Sequence, residues 1–154
     1  MKITLLTVGK IKAGWLSEGI DQYLNWLGRY AQVEVIEVAD EAEQLPLAVL
    51  RKKEGERLCK HWPDKGQIIA LDLGGKQMDS ETFSRQVQHW LEIGMSELTF
   101  IIAGSSGFDP TVLQRCTGRL CLSPMTFTHQ MTRLILAEQL YRAFKIHFKE
   151  PYHK

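Results

Sequence analysis

Nowhere does the chain hold an apolar run approaching the ~20 residues that cross a membrane. Cysteine is scarce: Cys59, Cys116 and Cys121 form no CxxC pair, and an odd count argues against a disulfide framework. Neither charge dominates, with 19 Lys and Arg against 18 Asp and Glu, so global charge says little about partners. The usual catalytic signatures are missing too. There is no GxGxxG, and Gly75-Lys76 lacks the earlier Gly and the following Ser/Thr of a phosphate-binding loop. There is no HExxH and no paired Cys/His spacing for zinc. Gly104-Ser105-Ser106-Gly107 is not the GxSxG of a nucleophile elbow. Most common enzyme classes lose their sequence warrant, and the expectation is a reducing, cytoplasmic protein with no metal and no membrane partner.

What is present describes one globular domain over residues 1–154. Apolar residues make up 44% and charged residues 24%, which excludes disordered and fibrous classes. A chain of this length buries roughly 70% of its unfolded surface and needs no staple. The opening MKITLLTVGK reads as a strand, not as a signal peptide.

Strand and helix patterns alternate. Strands are expected at Ile3–Val8, Val33–Val38, Gln67–Leu73 (ended by Gly74-Gly75), Leu98–Ala103 and Arg119–Ser123. Helices are expected over Trp15–Tyr30, with Trp15, Ile20, Tyr23, Leu24 and Leu27 on one side, and over Glu41–His61 with Pro46 near its start. Asp79-Ser80 caps a third helix to about Ile93, Asp109-Pro110 opens a short fourth, and Gln130–Phe148 forms the last, closed by Pro151. This alternation predicts an α/β fold with a mostly parallel sheet flanked by helices. Ligands of such sheets sit outside the carboxyl ends of strands. Three loops fall there: Gly74–Lys76, Gly104–Gly107 and Ser123–His129.

Four constellations remain. Small residues in Ile102–Phe108 allow close backbone approach to a ligand, or make an ordinary strand-to-helix turn. The connector Leu120–Gln130 is apolar and free of Gly, unusual for a loop, and suits either an apolar slot for a flat heterocycle or a buried link. His129 at its end is a candidate base or a helix cap. On the last helix Glu138, Arg142, Lys145 and Lys149 form a charged stripe, whereas Arg133 falls within the apolar arc and needs an anionic or carbonyl partner. The tail from residue 142 carries four Lys/Arg against one Glu, and its Pro151-Tyr152-His153-Lys154 end joins a stacking ring, an imidazole and a cation, which suits RNA as well as a frayed terminus.

The segments MKITLLTVGK, LDLGGK, IIAGSSGF, LSPMTFTHQMTRLILAEQLYRAFKI and the terminal PYHK occur in this order. Together they closely resemble the RlmH (YbeA) family of small SPOUT-class methyltransferases, end to end and most strongly from Ile101 to Lys154. The resemblance implies a SPOUT-type fold with a C-terminal trefoil knot and a homodimer. It implies S-adenosylmethionine-dependent methylation of N3 of a pseudouridine in 23S rRNA within the assembled ribosome. It implies a methyl-donor site of Leu71, Ala103, Gly104, Leu122, Ser123, Pro124, Met125, Thr126 and Phe127. His129, Glu138 and His153 are then candidate proton acceptors, Arg142, Tyr152, His153 and Lys154 are RNA contacts, and Arg133 braces the site or the dimer. In a dimer, one subunit's tail completes the other's site. Two positions depart from the family pattern: Ala103 where a Gly is usual, and Thr128 where a Pro is usual. The rival readings are a non-catalytic RNA- or ribosome-binding module and a nucleotide-binding enzyme unrelated to RNA. A patch this small binds naked RNA weakly, so ribosome shape would supply specificity.

Overall fold

The computed structural model describes residues 1–154 as a five-stranded, wholly parallel sheet between two helical layers. The elements alternate as β1 (Lys2–Val8), α1 (Gly14–Leu27), β2 (Gln32–Val38), α2 (Leu47–Cys59), β3 (Gln67–Lys76), α3 (Ser80–Ile93), β4 (Glu97–Ile102), α4 (Pro110–Arg115), β5 (Gly118–Leu120) and α5 (His129–His147). Strand order is β2-β1-β4-β3-β5. β1 and β4, in the middle of the sheet, are short apolar runs because both faces are covered, whereas the edge strand β2 is largely exposed.

The two-residue period of the strands divides the core. Ile3 and Leu5 of β1, Ile69 of β3 and Leu98, Phe100 and Ile102 of β4 face α1, α3 and α5. Leu6 and Val8, Ile68 and Ala70, and Ile101 and Ala103 face α2 and α4, through Leu58, Phe108 and Val112. Caps set the helix starts. The Asp79 carboxylate accepts from Thr82 N at 2.7 Å, and Asp109 accepts from Thr111 N at 2.8 Å ahead of Pro110.

The structure corrects the expected pattern in several places. α2 does not begin at Glu41 but at Leu47, directly after Pro46, whose ring and missing N–H suit a helix start rather than an interior. Trp15 does not join the buried side of α1; it is 65% exposed and Leu16, 3% exposed, takes its place. β3 does not end at Gly74-Gly75 but continues to Lys76, with an irregularity between Leu71 and Lys76 where it pairs with Leu120. Cys121 N donates to Lys76 O at 3.0 Å, so the chain leaving β5 is held against this extension. A Cβ at Gly75 would stand 2.6 Å from the Leu120 backbone, so only glycine permits that approach. β5 is also shorter than expected and stops at Leu120, releasing Cys121–Thr128 as a loop.

Candidate functional site

A cleft of about 1240 Å³ opens at the carboxyl ends of β3, β4 and β5, bounded by the first turns of α1 and α5 and lined mostly by apolar side chains. A cleft of this size is ample for a ligand in the usual range of roughly 300–1,000 Å³. Leu71, Ala103, Gly104, Leu122, Ser123, Met125, Thr126 and Phe127 all line it, as does His129. Pro124 lies in the same loop but is not part of the lining. Gly75 acts instead through the β3–β5 approach, and Gly74 sits beside the Asp72 carboxylate.

Each wall is shaped by its local sequence. In the Gly104–Gly107 turn, Gly107 N donates to Gly104 O at 3.1 Å, and Gly107 adopts φ +82°, a left-handed value that favours glycine. Ala103 packs into the core facing α2 while bordering the cleft, so its methyl group is accommodated. On the opposite wall, Ser123 Oγ accepts from Met125 N at 3.0 Å and orders the loop. The amides of Leu122, Ser123, Thr126 and Phe127 make no hydrogen bond within the chain. An apolar slot edged with free amide donors suits a flat heterocycle carrying polar edges. Met125 and Phe127 are 74% and 37% exposed, so apolar surface is offered to a ligand here.

Thr128 caps α5, its Oγ1 accepting from Met131 N at 3.2 Å. Its φ of −60° is the angle a proline would impose. The loop entry is therefore preserved with Thr in that position, and a cap is gained. His129 is the first residue of α5 and is not the cap. Burial, reinforced by the Arg133 charge one turn on, lowers the His129 pKa below its ordinary value, which favours the neutral, proton-accepting form.

Arg133 is 2% exposed. Its Nη1 donates to Glu37 at 2.7 Å, and its Nη2 donates to Val8 O at 2.9 Å and Gly9 O at 2.6 Å. Of the partners the sequence left open, it takes loop carbonyls and a carboxylate of its own chain. It braces the cleft from behind by fixing α5 to the ends of β1 and β2.

Two residues of α2 belong to this region although the sequence reading passed over them. Arg51 borders the cleft and its Nε donates to Ser106 O at 2.6 Å. Glu54 is 5% exposed; one oxygen accepts from Glu41 N at 3.1 Å and the other has no partner. A Cβ at Gly104 would lie 3.1 Å from that second oxygen, so the carboxyl underlies the loop. Burial raises the Glu54 pKa. The available signal was the i,i+4 row Leu50, Glu54, Leu58, an acid on an apolar stripe.

The remaining candidates gather elsewhere. Glu138 bonds Arg142 through Nη2 at 2.6 Å and Nε at 3.1 Å, and accepts from Tyr152 OH at 3.0 Å. The Arg142 guanidinium lies 4.7 Å from the Tyr152 ring centroid, and its Nη1 is 3.3 Å from His153 Nδ1. Lys154 is exposed at the end of this tail. None of these residues lines the cleft of its own chain. Nine helical steps separate His129 from Glu138, roughly 13.5 Å along the axis.

Three comparisons bear on this geometry. Residues 1–153 match the family model described as predicted SPOUT methyltransferase. The chain is 46% identical to the ribosomal RNA large subunit methyltransferase H of Bifidobacterium animalis subsp. lactis and 47% identical to that of Halothermothrix orenii, over the full length of both chains in each case. In fold it resembles a probable methylase family protein from Haemophilus influenzae, with a TM-score of 0.55 at 13% identity, covering 99% of this chain and 70% of that one.

Proposed function

The chain belongs to the SPOUT methyltransferase family, and from that premise we propose that it methylates N3 of a pseudouridine in the 23S rRNA of the assembled ribosome, using S-adenosylmethionine. The observation that carries the reading is the cleft between the Gly104–Gly107 turn and the Leu122–Phe127 loop, apolar and edged with free amides. Those features fit the donor: the apolar walls take its adenine, and the amides meet its polar edges. When bound, the donor supplies an electrophilic methyl group.

The protein's own work is positioning and proton removal. N3 of the base carries a proton that must leave as its lone pair is used. His129 lines the cleft and is held neutral by burial, so it is the first proton acceptor to consider. Glu138 is a poor one, because Arg142 and Tyr152 already hold its carboxylate. Arg142, Tyr152, His153 and Lys154 form an RNA-facing cluster away from this cleft. In a homodimer the tail of a second copy brings such a cluster to each cleft, and His153 then serves as an alternative acceptor. The same reading ties the C-terminal part in a trefoil knot, within the segment where Cys121 is held against Lys76 before the chain turns into α5.

The test is transfer of radiolabelled methyl from S-adenosylmethionine to ribosomes lacking the modification, with free 23S rRNA and separated subunits alongside. Label on a pseudouridine of assembled ribosomes alone is the expected result. Donor binding without label on any ribosomal substrate would remove the substrate, and RNA binding without donor affinity would return the protein to a binding module.

A further inference from the structure

Arg51 is the one Lys or Arg on the cleft lining, and nothing in the chain occupies its terminal nitrogens. Its Nε is committed to Ser106 O at 2.6 Å, which fixes the guanidinium against the Gly104–Gly107 turn. A Cβ at Gly107 would stand 3.4 Å from Nη2, so the fork lies close beside that glycine. Nη1 and Nη2 make no hydrogen bond, and no carboxylate is within ion-pair distance of either. Asp109 feels the Arg51 charge, but its carboxylate is engaged in capping α4 through Thr111.

A guanidinium anchored through Nε presents a preorganised pair of donors, which matches a carboxylate. Resting on the donor-cleft reading above, we propose that Arg51 is the subsite for the α-carboxylate of the methyl donor. Its neighbours support the assignment. The opposite wall, Leu122–Phe127, supplies the apolar surface and amides that suit a heterocycle, leaving the Arg51 wall for the amino-acid end. The α-carboxylate is the donor's only anionic group, and Arg51 is the cleft's only permanent cation. A half-buried arginine inside a cleft also gains more from such a pair than one on open surface. Arg51 therefore sets specificity for a donor that retains its carboxylate.

The test is calorimetric binding of S-adenosylmethionine and its decarboxylated analogue to the full chain and to Arg51→Met and Arg51→Lys, with thermal unfolding to verify folding. Arg51→Met is expected to weaken S-adenosylmethionine by about tenfold or more, while the decarboxylated analogue changes by less than about twofold. Arg51→Lys, which keeps the charge without the fork, is expected to fall between. Equal losses for both ligands would overturn the proposal, assigning Arg51 to loop support alone. Unchanged donor affinity with a raised KM for ribosomes would overturn it in favour of an RNA phosphate. A wild-type chain that binds neither ligand would overturn the donor reading itself.

Discussion

Arg133 Nη2 lies 2.6 Å from the carbonyl oxygen of Gly9, a residue 124 positions earlier in the chain. With Val8 O and Glu37 also on its fork, this guanidinium joins the first turns of α5 to the ends of β1 and β2. The helix that begins with His129 is thereby registered to the sheet whose strand ends form the cleft.

Arg133→Met removes a nearly buried cation and leaves the Val8 and Gly9 carbonyls without this donor. Glu37 is itself exposed and stays solvated, so the loss comes from the two carbonyls, at about 1–3 kcal/mol for each buried group left unsatisfied. Urea unfolding is expected to show a loss of that order, with the slope unchanged. A loss within the range of a surface substitution would mean that the contacts are not maintained in solution.

Gly75→Ala places a methyl group 2.6 Å from the Leu120 backbone. Overpacking of this kind typically costs about 1–3 kcal/mol, and here it pushes β5 and the loop after it away from β3. Lowered stability together with weakened donor binding is the expected pair of results. Gly14→Ala is the control, since a Cβ there meets nothing within 4 Å.

Glu54 gives a pH dependence of stability. Its folded pKa is raised by burial, so above the unfolded value of 4.5 the folded state holds the extra proton. The Glu54 contribution to stability is therefore full below that value and is lost as pH rises through the folded pKa. Glu54→Gln keeps an acceptor for Glu41 N and removes the titration. Its thermal midpoint is expected to fall less than that of the wild type between pH 5 and neutrality. Parallel curves for the two proteins would show that the carboxyl does not titrate in this window.

His129→Ala is expected to slow methyl transfer by about 10²–10⁴-fold if His129 takes the N3 proton, with donor affinity little changed. Because the His129 pKa lies below 6.5, wild-type activity should hold as pH falls past that value before declining. Stability moves in the same direction: the unfolded chain takes up the proton first, so this histidine opposes folding as pH drops below 6.5. Removal of Tyr152–Lys154 is the complementary test. It should abolish transfer to ribosomes while leaving donor binding intact.

The sequence was most informative where local physics decides structure. The β-branched strand runs, the Asp79 and Asp109 caps and the apolar connector before His129 announced both the sheet and the cleft at its carboxyl ends. Legibility failed where the deciding partner is distant in sequence. Trp15 and Leu16 compete for one buried position, and only the docking of α1 on α5 selects Leu16. Gly75 reads as a strand terminator until Leu120 is seen against it. Arg133 was recognised as needing partners, but Val8, Gly9 and Glu37 come from the far end of the chain. Arg51 and Glu54 were hidden by the charged composition of α2, whose other face meets solvent.

The most direct measurement is amide hydrogen exchange of the full chain with and without S-adenosylmethionine. The donor should slow exchange at Leu122, Ser123, Thr126 and Phe127, whose amides have no acceptor in the chain, and at the Gly104–Gly107 turn. The shallower groove between α3 and α5, lined by Glu81, Arg85 and His89, should be unaffected. Protection confined to that groove, with the Leu122–Phe127 amides still exchanging freely, would contradict the assignment of the cleft as the donor site.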